Sequence, residues 1–133
     1  MAGASAMSDT ASHAVILFAH GSRDPLWRLP MEAVAARLAR RAPGLLVRCA
    51  YLELTQPDLP TAAADLARAG ATQVAITPMF LGAGRHVRED LPALVEQLKA
   101  AHPGVIWTLR PPVGEDERLL DLLAEIAAEQ SLE

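Results

Sequence analysis

The chain has 133 residues, about half of them apolar, and a formal net charge of −4 from 12 basic and 16 acidic side chains. This length and composition fit one globular domain with a real core and exclude a disordered chain. The sequence contains no basic block for nucleic acid and no apolar stretch of membrane-spanning length. A single cysteine, Cys49, excludes an intrachain disulfide and a cysteine-based zinc site. We interpret it as a buried hydrophobe.

Residues 1–13 are small and polar and lack the basic start and apolar stretch of a signal peptide. They predict a flexible tail, with His13 in it, on a cytoplasmic protein whose single domain covers residues 14–130. The first apolar run, "AVILFA" at 14–19, is continuous, which favours a strand covered on both faces. Asp24 and Pro25 then offer an N-cap and a first helical residue, and the helical spacing that follows ends near residue 42.

A second apolar run, residues 45–54, predicts another strand, although Arg48 interrupts it. Asp58 begins a second helix that Gly70 ends. The third strand is predicted over residues 73–81, with its last residues leaving the ladder because of Pro78.

Pro92 is tolerated in a first helical turn, where its missing N–H would be unbonded anyway. The spacing therefore predicts a third helix from about Asp90, with His86 on the loop before it. His102 falls in the stop signal of that helix and is expected to be exposed. A fourth strand, residues 105–113, leads to a last helix with an apolar stripe of Leu119, Leu122, Leu123 and Ile126.

The alternation of strands and helices predicts an α/β fold: a three-layer sandwich with a four-stranded parallel sheet and helices on both faces. In such sheets, ligands bind beyond the carboxyl ends of the strands. His20, Glu53 and the "GAGRH" loop at 82–86 all follow predicted strands. We therefore expect them at one edge of the sheet.

His20 and His86 are candidate metal ligands and proton acceptors, because neutral imidazole performs both tasks near neutral pH. With Glu53 they would form a three-ligand set that leaves coordination positions open. They come from distant loops without a short-spacing metal motif, so their spacing alone is a weak signal. The alternative is that each histidine bonds a neighbouring carbonyl and that Glu53 is a solvated charge.

Gly21, Gly82 and Gly84 permit turns with positive φ, or a close approach of the backbone to a flat or anionic ligand. Neither a dinucleotide fingerprint nor a P-loop is present, so nucleotide binding is disfavoured.

Four arginines gather near the same predicted edge: Arg23, Arg28, Arg85 and Arg88. Guanidinium groups bind carboxylates through forked hydrogen bonds. Arg23 and Arg85 are the better candidates for this task, and we interpret Arg28 and Arg88 as solvated positions.

At these motifs the sequence resembles the short form of the sirohydrochlorin chelatases, the class II cobalto- and ferrochelatases of the CbiX and SirB type. The resemblance rests on five segments: "AHGSRDP" at 19–25, "YLEL" at 51–54, the segment 78–86 ending in "GAGRH", "EDLP" at 89–92 and "RPPVGEDERLLDLL" at 110–123. It covers roughly residues 14 to 127. The two histidine blocks are specific in combination.

The resemblance implies ATP-independent insertion of Co²⁺ or Fe²⁺ into sirohydrochlorin, for cobalamin or sirohaem, with no cofactor beyond the metal substrate (Co²⁺, Fe²⁺ or Ni²⁺). It implies that His20 and His86 bind the metal and accept pyrrole protons, with Glu53 assisting. Its motifs also assign substrate-binding roles to Ser22, Arg23, Gly84 and Arg85.

The resemblance further implies the chelatase α/β sandwich and a homodimer that completes the cleft, since longer relatives carry two such halves. The flat macrocycle would lie against Met79, Phe80 and Leu81. A non-catalytic carrier of metal or tetrapyrrole on the same fold remains the alternative. A histidine phosphatase is set aside, because that chemistry wants an arginine where Ala19 precedes His20.

Overall fold

The structure is a computed structural model that describes residues 12–132, with side chains to residue 129. The strands are β1 (His13–Ala19), β2 (Leu46–Tyr51), β3 (Gln73–Pro78) and β4 (Ile106–Leu109). The helices are α1 (Leu29–Arg41), α2 (Leu59–Arg68), α3 (Arg85–Ala101) and α4 (Glu117–Leu132), with a 3₁₀ turn at Val113–Glu115 before α4. Residues 1–11 of the predicted tail lie outside the described residues, and His13 is the first residue of β1.

The four strands form one parallel sheet in the order β2-β1-β3-β4. The register pairs Leu17 of β1 with Cys49 on one side and with Thr77 on the other. All strands therefore end at one edge, as the order of elements predicts, and the predicted α/β sandwich is confirmed.

One face of the sheet carries the main core. Ala14, Ile16 and Phe18 alternate along β1 and are almost completely buried against α2 and α3. Helix α2 is held at its start by the Asp58 side chain, which accepts the Thr61 N–H at 2.9 Å, as the sequence predicts.

The other face is covered less completely. Helix α1 packs on β1 and β2 but has no fully buried residue. Helix α4 packs against the 3₁₀ turn, and the side chains that the structure describes from 117 to 129 are exposed except for half-buried Leu119.

The predicted start of the first helix was wrong by about four residues. The Asp24 carboxylate accepts the Leu26 N–H at 2.9 Å and forms a turn instead of capping a helix. Helix α1 begins at Leu29, and Pro30 rather than Pro25 occupies its first turn.

The predicted start of the third helix was also wrong. Helix α3 begins at Arg85, so His86 lies in its first turn, and Pro92 lies inside the helix. Half-buried Val87 and buried Leu91 pack on the core from the two turns before this proline. That packing offsets the cost of about 3 kcal/mol of an internal proline.

The second and fourth strands end earlier than predicted, whereas the chain leaves the ladder after Pro78 in β3, as the sequence predicts. Strand β2 stops at Tyr51, because Leu54 has φ of 64° and leaves the extended conformation. Strand β3 ends at Pro78, and β4 ends at Leu109, before the two prolines at 111–112.

The expectation that His102 is exposed was wrong. It is half-buried at the end of α3, where its ring lies 5.8 Å from that of Trp107.

Candidate active site

His20 is the first residue after β1, and its side chain is exposed at the carboxyl edge of the sheet. Its ring centroid lies 5.6 Å from that of Phe80, with the two planes at 76°. Phe80 in turn meets Phe18 edge to face at 6.1 Å. Because both phenylalanines are buried, they form a firm apolar support for an imidazole that is open to solvent.

The turn after His20 depends on Gly21. Its φ is +101°, and a Cβ added to it would lie 1.7 Å from the carbonyl oxygen of Glu53. The neighbouring backbone hydrogen bond, from the Glu53 N–H to the His20 carbonyl, is 3.1 Å long. The loops after β1 and β2 are therefore in backbone contact, and only glycine fits between them.

Thr55 fastens the same two loops and was missed by the sequence analysis. Its hydroxyl accepts the Ser22 N–H at 2.9 Å and donates to the Ser22 carbonyl at 2.9 Å. The Ser22 hydroxyl accepts the Asp24 N–H at 3.1 Å, so the predicted substrate ligand also holds its own turn. The sequence feature that could have pointed to Thr55 is a threonine in the turn before Pro57.

His86 lies in the first turn of α3, with an exposed side chain. It lines a cavity of about 70 Å³ together with Phe18, Leu52 and Asp90, among other residues. Phe18 therefore borders the surroundings of His86 and also contacts Phe80, which supports His20. The structure places both histidines at the same edge of the sheet, His20 against Phe80 and His86 beside a cavity that Phe18 also lines.

The three predicted metal ligands do not form a coordination sphere in the structure. Within residues 12–132, no three His, Cys, Asp or Glu side chains are arranged to hold a metal ion. His20, Glu53 and His86 lie at one edge of the sheet, and all three are exposed. A metal held there would have open positions and much contact with water.

The arginines near this edge are exposed. Arg85 pairs with Glu89 at 3.0 Å and Arg28 with Glu32 at 3.5 Å, each within one helix. Such surface pairs contribute at most about 1 kcal/mol, so Arg85 can exchange its partner for a ligand carboxylate at little cost. Arg23 is exposed beside His20.

The glycines before α3 differ from Gly21. The expected positive φ was wrong for Gly82 and Gly84, and a Cβ at either would meet no atom within 4 Å. Gly84 is the N-cap of α3, with φ of −64°. The space around this loop is open to a ligand.

Of Met79, Phe80 and Leu81, the residues expected to lie against the flat ligand, only one has an exposed side chain. Leu81 is 67% exposed, whereas Phe80 is buried and Met79 is half-buried, lining a groove on the face that carries α1. Leu81 is therefore the residue of the three that offers an open apolar surface at this edge.

Cys49 is half-buried, and burial is the main cause that raises the pKa of its thiol. Its Sγ donates to the Met31 carbonyl at 3.7 Å. Burial likewise raises the pKa of Tyr51, beside it, to about 12. A neutral thiol at neutral pH fits the interpretation of Cys49 as a packing residue.

In a comparison with protein families, the CbiX family model matches residues 14–130. The chain belongs to the CbiX family. As a CbiX-family chain it is similar to the sirohydrochlorin cobaltochelatase of Methanococcoides burtonii, with 30% identity over 123 residues, 86% of this chain and 94% of that protein. It also resembles the chloroplastic sirohydrochlorin ferrochelatase of Arabidopsis thaliana, with 28% identity over 82% of this chain but 48% of that protein.

The fold of this CbiX-family chain agrees with a solved relative. The crystal structure of a CbiX protein from Marinobacter aquaeolei VT8 superposes with a TM-score of 0.78 and 36% identity, over 89% of this chain and 96% of that one. In the described part of the chain, no helix has the length and apolar character needed to cross a membrane.

Proposed function

We propose that this chain is a sirohydrochlorin chelatase that inserts a divalent metal, Co²⁺ or Fe²⁺, into the macrocycle without ATP. The observation that carries the proposal is the placement of His20 and His86. Both are exposed at the carboxyl edge of the sheet, His20 against the buried Phe80 and His86 beside a cavity lined by the buried Phe18, in a chain of the CbiX family.

The chemistry requires a base and a weakly held cation. Ring nitrogens lose protons as the metal enters, and an imidazole near neutral pKa accepts protons at physiological pH. His20 and His86 would deliver the metal and take these protons, and Glu53 would add a carboxylate on the side of His20. Two nitrogen ligands and one oxygen ligand bind Co²⁺, Fe²⁺ and Ni²⁺ without strong selection, so all three are candidate metal substrates.

Substrate binding would use the groups around the two histidines. Arg23 and Arg85 are exposed and suited to the peripheral carboxylates of the tetrapyrrole. Ser22 and Gly84 contribute the backbone of the two loops, and Leu81 offers an apolar contact. No resident cofactor is needed for this reaction.

The homodimer belongs to this proposal. One chain supplies one half of a cleft, and a second copy would close it over the flat substrate. We place the enzyme in the cytoplasm, where its product would serve cobalamin or sirohaem formation.

An insertion assay tests the proposal. Purified protein is mixed with sirohydrochlorin and Co²⁺ or Fe²⁺, and the absorption change is followed against the spontaneous rate. His20→Ala and His86→Ala should each lower the enzymatic rate by about 100-fold or more. His13→Ala is the matched control, because His13 is exposed at the far end of β1. Its rate should be unchanged.

The same assay separates an enzyme from a carrier. A carrier would bind metal or tetrapyrrole without exceeding the spontaneous rate. Full activity in both His20→Ala and His86→Ala would refute the assignment of these residues.

A further inference from the structure

One leucine at the carboxyl edge of the sheet has a strained backbone. Leu54, in the loop after β2, has φ of 64°, and the Thr55 N–H donates to the Glu53 carbonyl across it at 2.8 Å. This is a γ-turn of the rare, strained kind. Positive φ disfavours any residue with a Cβ, and leucine has no polar atom that could bond the local backbone. The conformation of Leu54 therefore costs free energy that glycine or asparagine would avoid.

Burial does not offset this cost. The Leu54 side chain is 56% exposed, whereas Leu52, two residues earlier, is half-buried and packs on the main core. Single exposed leucines are common on protein surfaces and need no explanation. Among the exposed large apolar side chains of the described residues, however, Leu54 alone has positive φ. Fold stability gives no reason for a leucine here, and residues strained in this way concentrate at functional sites.

The strained turn is joined to the loop that carries His20. The Glu53 N–H donates to the His20 carbonyl at 3.1 Å, and the Thr55 hydroxyl bonds both polar backbone groups of Ser22. Leu54 lies between these two points of attachment. The surrounding hydrogen bonds therefore hold it in its unfavourable conformation and fix its position relative to His20.

A second exposed leucine lies on the other side of His20. Leu54 is the third residue after β2, and Leu81, 67% exposed, is the third residue after β3. Strand β1, which ends just before His20, lies between β2 and β3. Neighbouring strands are about 4.8 Å apart, so the loops that carry the two leucines start about 10 Å apart. This separation is on the scale of a flat tetrapyrrole ring, with the imidazole between the two apolar groups.

We propose that Leu54 contacts the flat face of the tetrapyrrole, and that its strained turn holds the side chain at the edge of the sheet for this contact. The inference rests on the proposed function and adds to it a substrate-binding residue on the β2 side. With Leu54 and Leu81 against opposite parts of the ring, His20 would lie near its centre, where the pyrrole nitrogens exchange protons for the metal. Removal of the Leu54 side chain from water by the ring supplies the favourable free energy that the folded chain does not.

Two substitutions in the full chain separate the apolar surface of Leu54 from its backbone conformation. Leu54→Asn keeps a side chain of similar size in a residue that tolerates positive φ, but replaces apolar atoms with an amide. Leu54→Met keeps the apolar surface. Metal-free sirohydrochlorin is titrated into each protein with the fluorescence of the tetrapyrrole as the signal. The insertion assay then gives kcat and the KM for each substrate, and urea unfolding gives the midpoint.

Leu54→Asn should weaken the binding of metal-free sirohydrochlorin about tenfold and raise the KM for it by a similar factor. The kcat and the KM for Co²⁺ should stay within about twofold of the wild type, because the lost contact is the same before and during the reaction. Leu54→Met should bind within about threefold of the wild type. The urea midpoint of Leu54→Asn should equal or exceed that of the wild type, because the strain is reduced.

Ile106→Asn is the matched control. Ile106 is 63% exposed and is the first residue of β4, at the opposite edge of the sheet from His20. The substitution removes a similar apolar group, and the affinity for sirohydrochlorin should be unchanged.

The outcomes separate this inference from the proposed function. A wild type that binds no sirohydrochlorin overturns both. A wild type that binds it without inserting metal overturns the enzymatic function, and the titrations still decide the Leu54 contact. Unchanged affinity in Leu54→Asn overturns the inference alone, as does an equal loss in Leu54→Met. A urea midpoint that falls in Leu54→Asn would make Leu54 a structural residue, and an altered oligomeric state in light scattering would make it an interface residue. Either result overturns the inference.

Discussion

The loop after β1, which carries His20, and the loop after β3, which precedes His86, are built in different ways. The loop after β1 is fastened to the loop after β2 by the Gly21 contact and by the paired hydrogen bonds of Thr55 with Ser22. The loop after β3 is fastened at its start, where the Gly114 N–H donates to the Phe80 carbonyl at 2.9 Å and only glycine fits against the Leu81 backbone, but a side chain at Gly82 or Gly84 would meet open space.

This difference assigns different tasks to the two loops. A group held by backbone contacts keeps its position when substrate arrives, which suits His20 as a fixed base. The stretch 82–84 has space around it and can adjust to a flat ligand, and Arg85 and His86 start the helix that follows it. We infer that substrate binding adapts on the side of His86 and that geometry is fixed on the side of His20.

The largest effect is expected from Gly21→Ala. The new Cβ would collide with the Glu53 carbonyl, and the positive φ disfavours any side chain. We expect a loss of about 3 kcal/mol or more in the free energy of unfolding. The insertion rate of the folded protein should fall about 100-fold, because His20 would be displaced. Urea unfolding and the insertion assay measure the two effects.

Gly84→Ala is the matched control on the other loop. Its φ of −64° suits alanine, and no atom is near. The free energy of unfolding should change by less than about 1 kcal/mol. Equal losses in Gly21→Ala and Gly84→Ala would contradict the contrast between the loops.

A moderate effect is expected from Thr55→Val. The substitution keeps the shape of the side chain but removes the hydroxyl that serves both polar groups of Ser22. The free energy of unfolding should fall by about 1–2 kcal/mol, and the insertion rate by about tenfold. Thr55→Ser retains the hydroxyl, so most of the free energy of unfolding and most of the insertion rate should be kept. If Thr55→Val behaves as the wild type, the fastening of this loop does not depend on that hydroxyl.

The smallest effect is expected from Glu53→Gln. The carboxylate is exposed, so the free energy of unfolding should stay within about 0.5 kcal/mol of the wild type. The insertion rate should fall, but by less than the roughly 100-fold loss expected for either histidine. Measuring the rate at several Co²⁺ concentrations would show whether metal binding is weakened. An unchanged rate would make Glu53 a solvated charge.

The order of strands and helices followed from the sequence, because apolar runs and their spacing reflect local burial. The Asp58 cap of α2 was predicted correctly because a cap bonds within its own helical turn. The start of α3 was not, since it depends on how Val87 and Leu91 pack on a core built from distant strands.

At the site, the sequence alone placed His20, Glu53 and His86 at one edge, because parallel strands bring all their carboxyl ends together. The partner of Thr55 could not be identified from the sequence, since Ser22 is 33 residues away in the chain. The exposure of the apolar stripe on α4 was equally hidden: an amphipathic pattern shows that a helix needs an apolar surface, and only the packed fold decides whether its own chain covers it.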